Sequence, residues 1–248
     1  MSFSNPILTA GVASNQSVHS VATDPRHAVG TRGQLSDGRV FYYASSVSSS
    51  TIAAGSLVCA PATDTDYVNI AVATSAPIGA TSLALTLGGA NTHAVNAFRG
   101  GYVVVNDATG EGHTYRIEGS SAVTAGTAIT VTLSDPIVIA LVAATSQVTL
   151  LLSPFAELDR VAGTTSRPAG VTQLLIPAGD STTQYFWVQT WGTSSGEDDA
   201  AIVDGNGCQN GATAGQFDIV TAAYPSIARQ IGTGVIGEHT PKFLTIAP

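Results

Sequence analysis

Lysine is almost missing from this chain: Lys242 is the only one in 248 residues. Lysine and arginine together number 9 against 17 acidic residues, a net charge of −8. Nucleic-acid binding needs clustered cations to neutralise phosphates, so no nucleic-acid partner is expected. Charge of either sign is scarce, at 10% of residues against an ordinary ~25%. Such scarcity fits disorder, a membrane protein or a surface covered by neighbours. The 44% hydrophobic content and the regular strand-like runs argue against disorder. No apolar run approaches ~18 residues, so no membrane-spanning helix is expected. Cys59 and Cys208 are too few for a disulfide framework or a zinc site, and are expected to be small, buried, reduced residues. The N-terminus, MSFSNPILTAG, has no basic segment leading into an apolar core, so synthesis in a reducing cytoplasm is expected. Long amphipathic helices are absent too. Only Pro154 to Val161 suggests a short helical turn.

What is present is strand after strand. The clearest stretch runs from Phe98 to Leu133. Tyr102 to Val105 is a β-branched and aromatic run, and Asn106 to Gly112 is a turn cluster. From His113 to Ile117 large and polar residues alternate, with Thr114, Arg116 and Glu118 on one face and Tyr115 and Ile117 on the other. Ile129, Val131 and Leu133 alternate again. This pattern predicts a three-stranded antiparallel meander. A meander cannot bury its apolar face alone, so a second sheet is expected from the rest of the chain.

Elsewhere, Arg39 to Ala44, Ser56 to Ala60, Tyr67 to Ala73, Ser82 to Leu87 and Gln147 to Leu152 read as strands between Gly, Pro, Asn and Asp turns. Beyond Ala162–Gly170 follow Val171 to Ile176, Gln184 to Trp191, Ala200 to Val203, Phe217 to Thr221, Ile227 to Ile231 and Phe243 to Ile246. The expected fold is all-β, an antiparallel barrel or sandwich in two small β domains, residues 37–161 and 162–248. Residues 1–36 hold no strand of useful length and read as an extended N-terminal arm, ordered only where it lies on something else. Residues 1–40 carry Arg26, Arg32 and Arg39 against Asp24 and Asp37, a formal +1 on a body of −9. Such an arm could dock on an acidic partner.

Several patterns invite a chemical reading. Gly192 to Gly196 matches G-x-S-x-G, and Asp204 or Asp218 and then His239 follow in the order of an α/β hydrolase built on Ser194. That elbow needs a long helix after the strand, and the sequence offers a Gly-rich break instead, so a surface loop is expected. Glu197, Asp198, Asp199 and Asp204, and more weakly Asp107 and Glu111, could offer oxygen ligands to calcium, but the D-x-D-x-D-G spacing is missing. His19, His27, His93, His113 and His239 show no ligand spacing. No metal, cofactor or catalytic residue is therefore assigned. Gly88-Gly89 and Gly100-Gly101 are read as bends or close backbone approaches rather than phosphate loops. Trp187 and Trp191, four apart on one strand, share a face; they could stack on a sugar, fill a core or line a subunit interface.

Three segments resemble the head decoration, or capsid cement, proteins of tailed bacteriophages. They are GQLSDGRVFYYASSVSSSTIAAGSLV (Gly33 to Val58), FRGGYVVVNDATGEGHTYRI (Phe98 to Ile117), and YFWVQTWG (Tyr185 to Gly192) with the terminal IGTGVIGEHTPKFLTIAP. The resemblance implies a structural protein of the virion exterior that binds the assembled shell and bridges capsomers, often as a trimer. It carries over no active-site residues. The implied partners are the major capsid protein and the protein itself, as a homotrimer, without nucleic acid or membrane. Arg26, His27 and Arg32 in the arm, with Trp187 and Trp191, are the expected contact residues. A carbohydrate- or receptor-binding module of a phage tail, and a serine hydrolase, are the rival readings.

Overall fold

A computed structural model describes residues 8–9, 12–13, 15–160, 162–163, 166–180, 182–221 and 225–247. The strands in chain order are β1 (Leu8–Thr9), β2 (Val12–Ala13), β3 (Arg32–Gln34), β4 (Val40–Ser46), β5 (Leu57–Ala60) and β6 (Ile70–Val72). There follow β7 (Ser82–His93), β8 (Tyr102–Asp107), β9 (Thr114–Ser120), β10 (Val123–Leu133), β11 (Gln147–Leu151) and β12 (Arg167–Thr172). The last are β13 (Gln184–Glu197), β14 (Gly207–Asn210), β15 (Phe217–Ile219), β16 (Ala228–Gln230) and β17 (His239–Thr245). The helical element among the described residues is a 3₁₀ turn, Thr65–Tyr67, capped by the Asp64 side chain. The protein is all-β, as its alternation and turn chemistry predict. Pro154 to Arg160 is not a helical turn: its backbone bonds instead to β4 and β5, Leu158 N donating to Ser45 O at 2.8 Å and Cys59 N to Asp159 O at 2.9 Å. Val161 lies outside the described residues.

Two compact units divide the chain, residues 63–154 and the two flanking segments together. This differs from the expected split at 37–161 and 162–248. The reason lies in the pairing: β4 bonds to β13 and β5 to β12, so residues 37–62 belong with the C-terminal strands.

Residues 63–154 form a closed antiparallel barrel in the order β10-β7-β6-β11-β8-β9. The predicted meander is there, with Val103 opposite Tyr115 and Val131 opposite Ser120. Its apolar face is covered by closure of the barrel through β7, β6 and β11 rather than by a second sheet. Alternation sends Leu83, Leu85 and Leu87 of β7, Val103 and Val105 of β8, Tyr115 and Ile117 of β9, and Ile129, Val131 and Leu133 of β10 into one interior. Gly89 permits the close approach expected of it, since a side chain there would collide with the carboxylate of Asp66.

The other unit is an eleven-stranded sheet whose main path runs β15-β14-β16-β17-β13-β4-β3-β1-β2. β13 is its axis. Residues 184–191 pair with β4, Val188 and Gln189 also pair with β12, and 191–197 pair with β17. A register shift between Gln189 and Trp191 marks a bulge where the partners change. One strand expected from sequence takes another form, Ala200 to Val203 being irregular, and one strand, β14, is not signalled by the sequence pattern.

Candidate functional site

The N-terminal arm is the first place where the expected contact residues come together. Its residues 1–7, 10, 11 and 14 lie outside the described set. The part from Gln16 to Ser36 lies on this chain's own sheet, which corrects the expectation that the arm is ordered only by a partner. Ala22 N donates to Tyr185 O at 2.9 Å, and Tyr185 N to Ala22 O at 2.7 Å. Gln16 is the anchor. Its Oε1 accepts from the Tyr43 hydroxyl at 2.7 Å, its Nε2 donates to Tyr185 O at 3.0 Å, and its backbone O accepts from Trp187 Nε1 at 3.1 Å. Val18 and Leu35 are buried with Phe41, Tyr43 and Trp187.

Trp187 is therefore a core residue, 0% exposed, and not available to a partner. The His27 ring lies 5.2 Å from Tyr43 and 5.3 Å from Trp187, and burial pushes its pKa down, toward the neutral imidazole. Trp191 does not share the surroundings of Trp187. The bulge interrupts the two-residue alternation, and Trp191 packs edge-on against Phe243 at 5.6 Å. Of the five residues, Arg26 and Arg32 are exposed; the backbone N–H of Arg26 donates to the Tyr43 hydroxyl at 3.0 Å.

Gly192 to Gly196 is not a surface loop. It lies within β13, with Ser194 opposite Lys242, and Ser194 is buried. Its Oγ accepts from Gln173 Nε2 at 3.0 Å. His239 bonds to Ala54 O at 3.0 Å through Nε2, and Asp204 accepts from Gly232 N at 2.9 Å. The strand continues through Glu197 where an elbow would turn into a helix, and these three side chains are each committed elsewhere.

The acidic residues are likewise separated by their partners. Asp199 accepts from Thr213 Oγ1 at 2.7 Å and Thr213 N at 2.9 Å; these bonds hold its carboxyl below the usual range against an opposing effect of burial. Glu197 accepts from Gln216 Nε2 at 2.7 Å. Among the described residues, no three His, Cys, Asp or Glu side chains are grouped to hold a metal ion.

Asp198 has a different fate, and it is the feature sequence reasoning missed. Its side chain and that of Lys242 are both 0% exposed, with Lys242 Nζ 2.5 Å from Asp198 Oδ1. Nζ also donates to Gln230 Oε1 at 2.8 Å and to Thr240 Oγ1 at 2.9 Å, and lies 5.1 Å from the centre of the Phe217 ring. Thr240 Oγ1 in turn donates to Asp198 Oδ2 at 2.5 Å. Burial pushes the neighbouring Cys208 thiol up to about 11, with Lys242 lowering it and Asp198 raising it. The signal was present in β17: alternation through HTPKFLT places Thr240, Lys242 and Leu244 on one face, and that face is the buried one.

No family model, curated protein or solved structure matches this chain.

Outward-facing aliphatic side chains occur on loops of each unit. In the barrel unit, Ile78 is 69% exposed and Val138 54%; in the sheet unit, Ile236 is 66% and Val203 60%. Ile78 and Val138 sit on neighbouring segments, joined where Gly79 N donates to Ile137 O at 2.7 Å. Val203 and Ile236 flank a similar contact, Gly234 N to Ile202 O at 2.7 Å.

Proposed function

We propose that this protein is a virion structural protein that binds the outer surface of a phage capsid as a homotrimer and stabilises it by bridging subunits of the major capsid protein. The observation that carries the reading is the pair of exposed aliphatic loop clusters on a chain with so few charges. Single exposed aliphatics are ordinary, but clusters on adjoining loops suit contact with another surface. The three segments that resemble cement proteins support it as well: they supply β4, the β8–β9 hairpin, β13 and β17, the frame of both units. On a lattice, each copy touching several shell subunits sums modest contacts into a large mechanical effect.

The exposed cations of the N-terminal strap, Arg26 and Arg32, are assigned to carboxylates or carbonyls of the shell. Trp187 plays no part in this binding; it holds the strap in place.

The test is to mix purified protein with undecorated shells and to measure binding and the temperature of shell rupture. Saturable binding with a raised rupture temperature is expected. Ile78→Asp with Val138→Asp should abolish most of it, and Arg26→Ala with Arg32→Ala should weaken it less. Failure to bind shells, together with tight binding to a surface glycan, would move the case to a carbohydrate-binding module.

A further inference from the structure

The only lysine of the chain sits where lysines are seldom found. Among the described residues Asp198 is the charged group bonded to Lys242 Nζ; its other neighbours are the Gln230 amide, the Thr240 hydroxyl and the Phe217 ring, with the Cys208 thiol bordering Gln230. An ion pair wholly out of water carries a desolvation cost that its attraction offsets only in part. A neutral product made from the same atoms escapes that cost.

The surrounding backbone is fitted to these two side chains. A Cβ on Gly196 would lie 2.5 Å from the Phe217 ring and 3.2 Å from Lys242 Cε. A side chain on Gly234 would collide with the Asp198 carboxylate. The backbone of Asp198 is pinned on both sides, its N–H donating to Glu238 O at 3.0 Å and its O accepting from Gly237 N at 2.8 Å. Nζ and the carboxyl group are thus held together by the fold, and groups held in this way react as if at very high concentration.

We infer that Lys242 and Asp198 condense into an intramolecular isopeptide bond, a covalent staple between β17 and the end of β13. The reaction balances without a co-reactant. The Lys242 ammonium and the Asp198 carboxylate yield one amide and one water. The Nζ–Cγ bond forms and the Cγ–Oδ2 bond breaks. Of the three protons on Nζ, one stays on the amide nitrogen and two leave with Oδ2. Thr240 is the positioning residue that passes them across: its hydroxyl accepts from Nζ at 2.9 Å and donates to Oδ2 at 2.5 Å. Oδ1 remains as the amide oxygen, and Gln230 Oε1, now 2.8 Å from Nζ, stays as acceptor for the amide N–H. This staple is independent of the capsid reading.

Intact-mass spectrometry of the denatured full chain tests it directly. The expected mass is lower than that of the 25.1 kDa sequence by about 18 Da, one water. Trypsin, which does not cut before Pro168, should leave residues 161–229 joined to residues 230–248 in one branched peptide, uncleaved at Lys242. Lys242→Met and Asp198→Ala should each restore the full mass and abolish the branch. Thr240→Val should slow or stop conversion while Lys242 and Asp198 remain. Wild-type protein at full mass without a branched peptide overturns the assignment and leaves an ion pair only; this result does not depend on any variant folding. A water loss that persists in Lys242→Met, without a branch, marks a succinimide at Asp37-Gly38 or Asp204-Gly205 and overturns it equally.

Discussion

The barrel and the open sheet bury different things. Inside the barrel lie Leu, Ile and Val with Tyr67, Phe98 and Tyr115, and the buried polar residues of that unit are serines, Ser120, Ser146 and Ser153. The sheet unit encloses Trp187, Tyr43 and Phe41, and also Gln189, Thr190, Gln230, Asp198 and Lys242. The barrel is one continuous stretch of chain and closes on itself, so its strand edges satisfy one another. The sheet gathers strands from both ends of the sequence, so other orders of pairing must be excluded by something besides closure. Its buried polar groups select among them, since each wrong pairing strands a donor, an acceptor or a charge. Closure gives the barrel its uniqueness; hydrogen-bond matching gives it to the sheet.

This contrast can be broken most decisively by excision. Residues 63–154 alone should fold with dispersed amide resonances and a cooperative thermal transition; an unfolded fragment would show that the barrel depends on the sheet. Next in size, Asp198→Ala removes the staple and leaves Lys242 buried without a counter-charge, and should cost at least the ~3–5 kcal/mol of a broken buried pair. Chemical denaturation should place that loss in the sheet unit and leave the barrel transition unmoved. Trp187→Ala should cost a similar ~3–5 kcal/mol and Leu85→Ala in the barrel about 2–5 kcal/mol. Hydrogen exchange separates the two, because only the Trp187 variant should expose the amides of the strap between Gln16 and Leu35.

The smallest effect concerns Asp199. Its carboxyl titrates below its unfolded value because Thr213 bonds to the ionised form, a gain that burial partly offsets. A depressed carboxylate contributes stability above its unfolded pKa and loses it as pH falls through the folded one. Asp199→Asn should therefore cost under about 1 kcal/mol at neutral pH after solvent screening, and the difference from wild type should vanish below the carboxylate range.

The same contrast explains what could be read from the sequence. The barrel strands were legible where alternation between turns is strict, as with Tyr115 and Ile117 between Thr114, Arg116 and Glu118, and less so at the bulged start of β10. The sheet was less so. Ser194 sits in a small-residue run, GTSSG, that has no hydrophobic period of its own, and it is held in β13 by its partner strand β17. Trp187 and Trp191 were expected to share a face, and a one-residue bulge between them undid the count. Of the candidate site, the exposure of Arg26 and Arg32 was legible, because arginine is seldom fully buried unless paired. The burial of Lys242 was not, since a lysine is read as solvated until its strand is seen to turn that face inward.

The place of β13 also fixes an order of events during synthesis. The ribosome delivers every barrel strand before residue 155, so that unit can close while the remaining chain is still being made. The sheet cannot: β13 needs β4, made early, and β17, made after every other strand of the sheet. Until β17 arrives, residues 191–197 present an unpaired edge, and the carboxylate of Asp198 has no lysine to meet. The sheet is in this sense sealed late, by the strand that follows all its others in the chain.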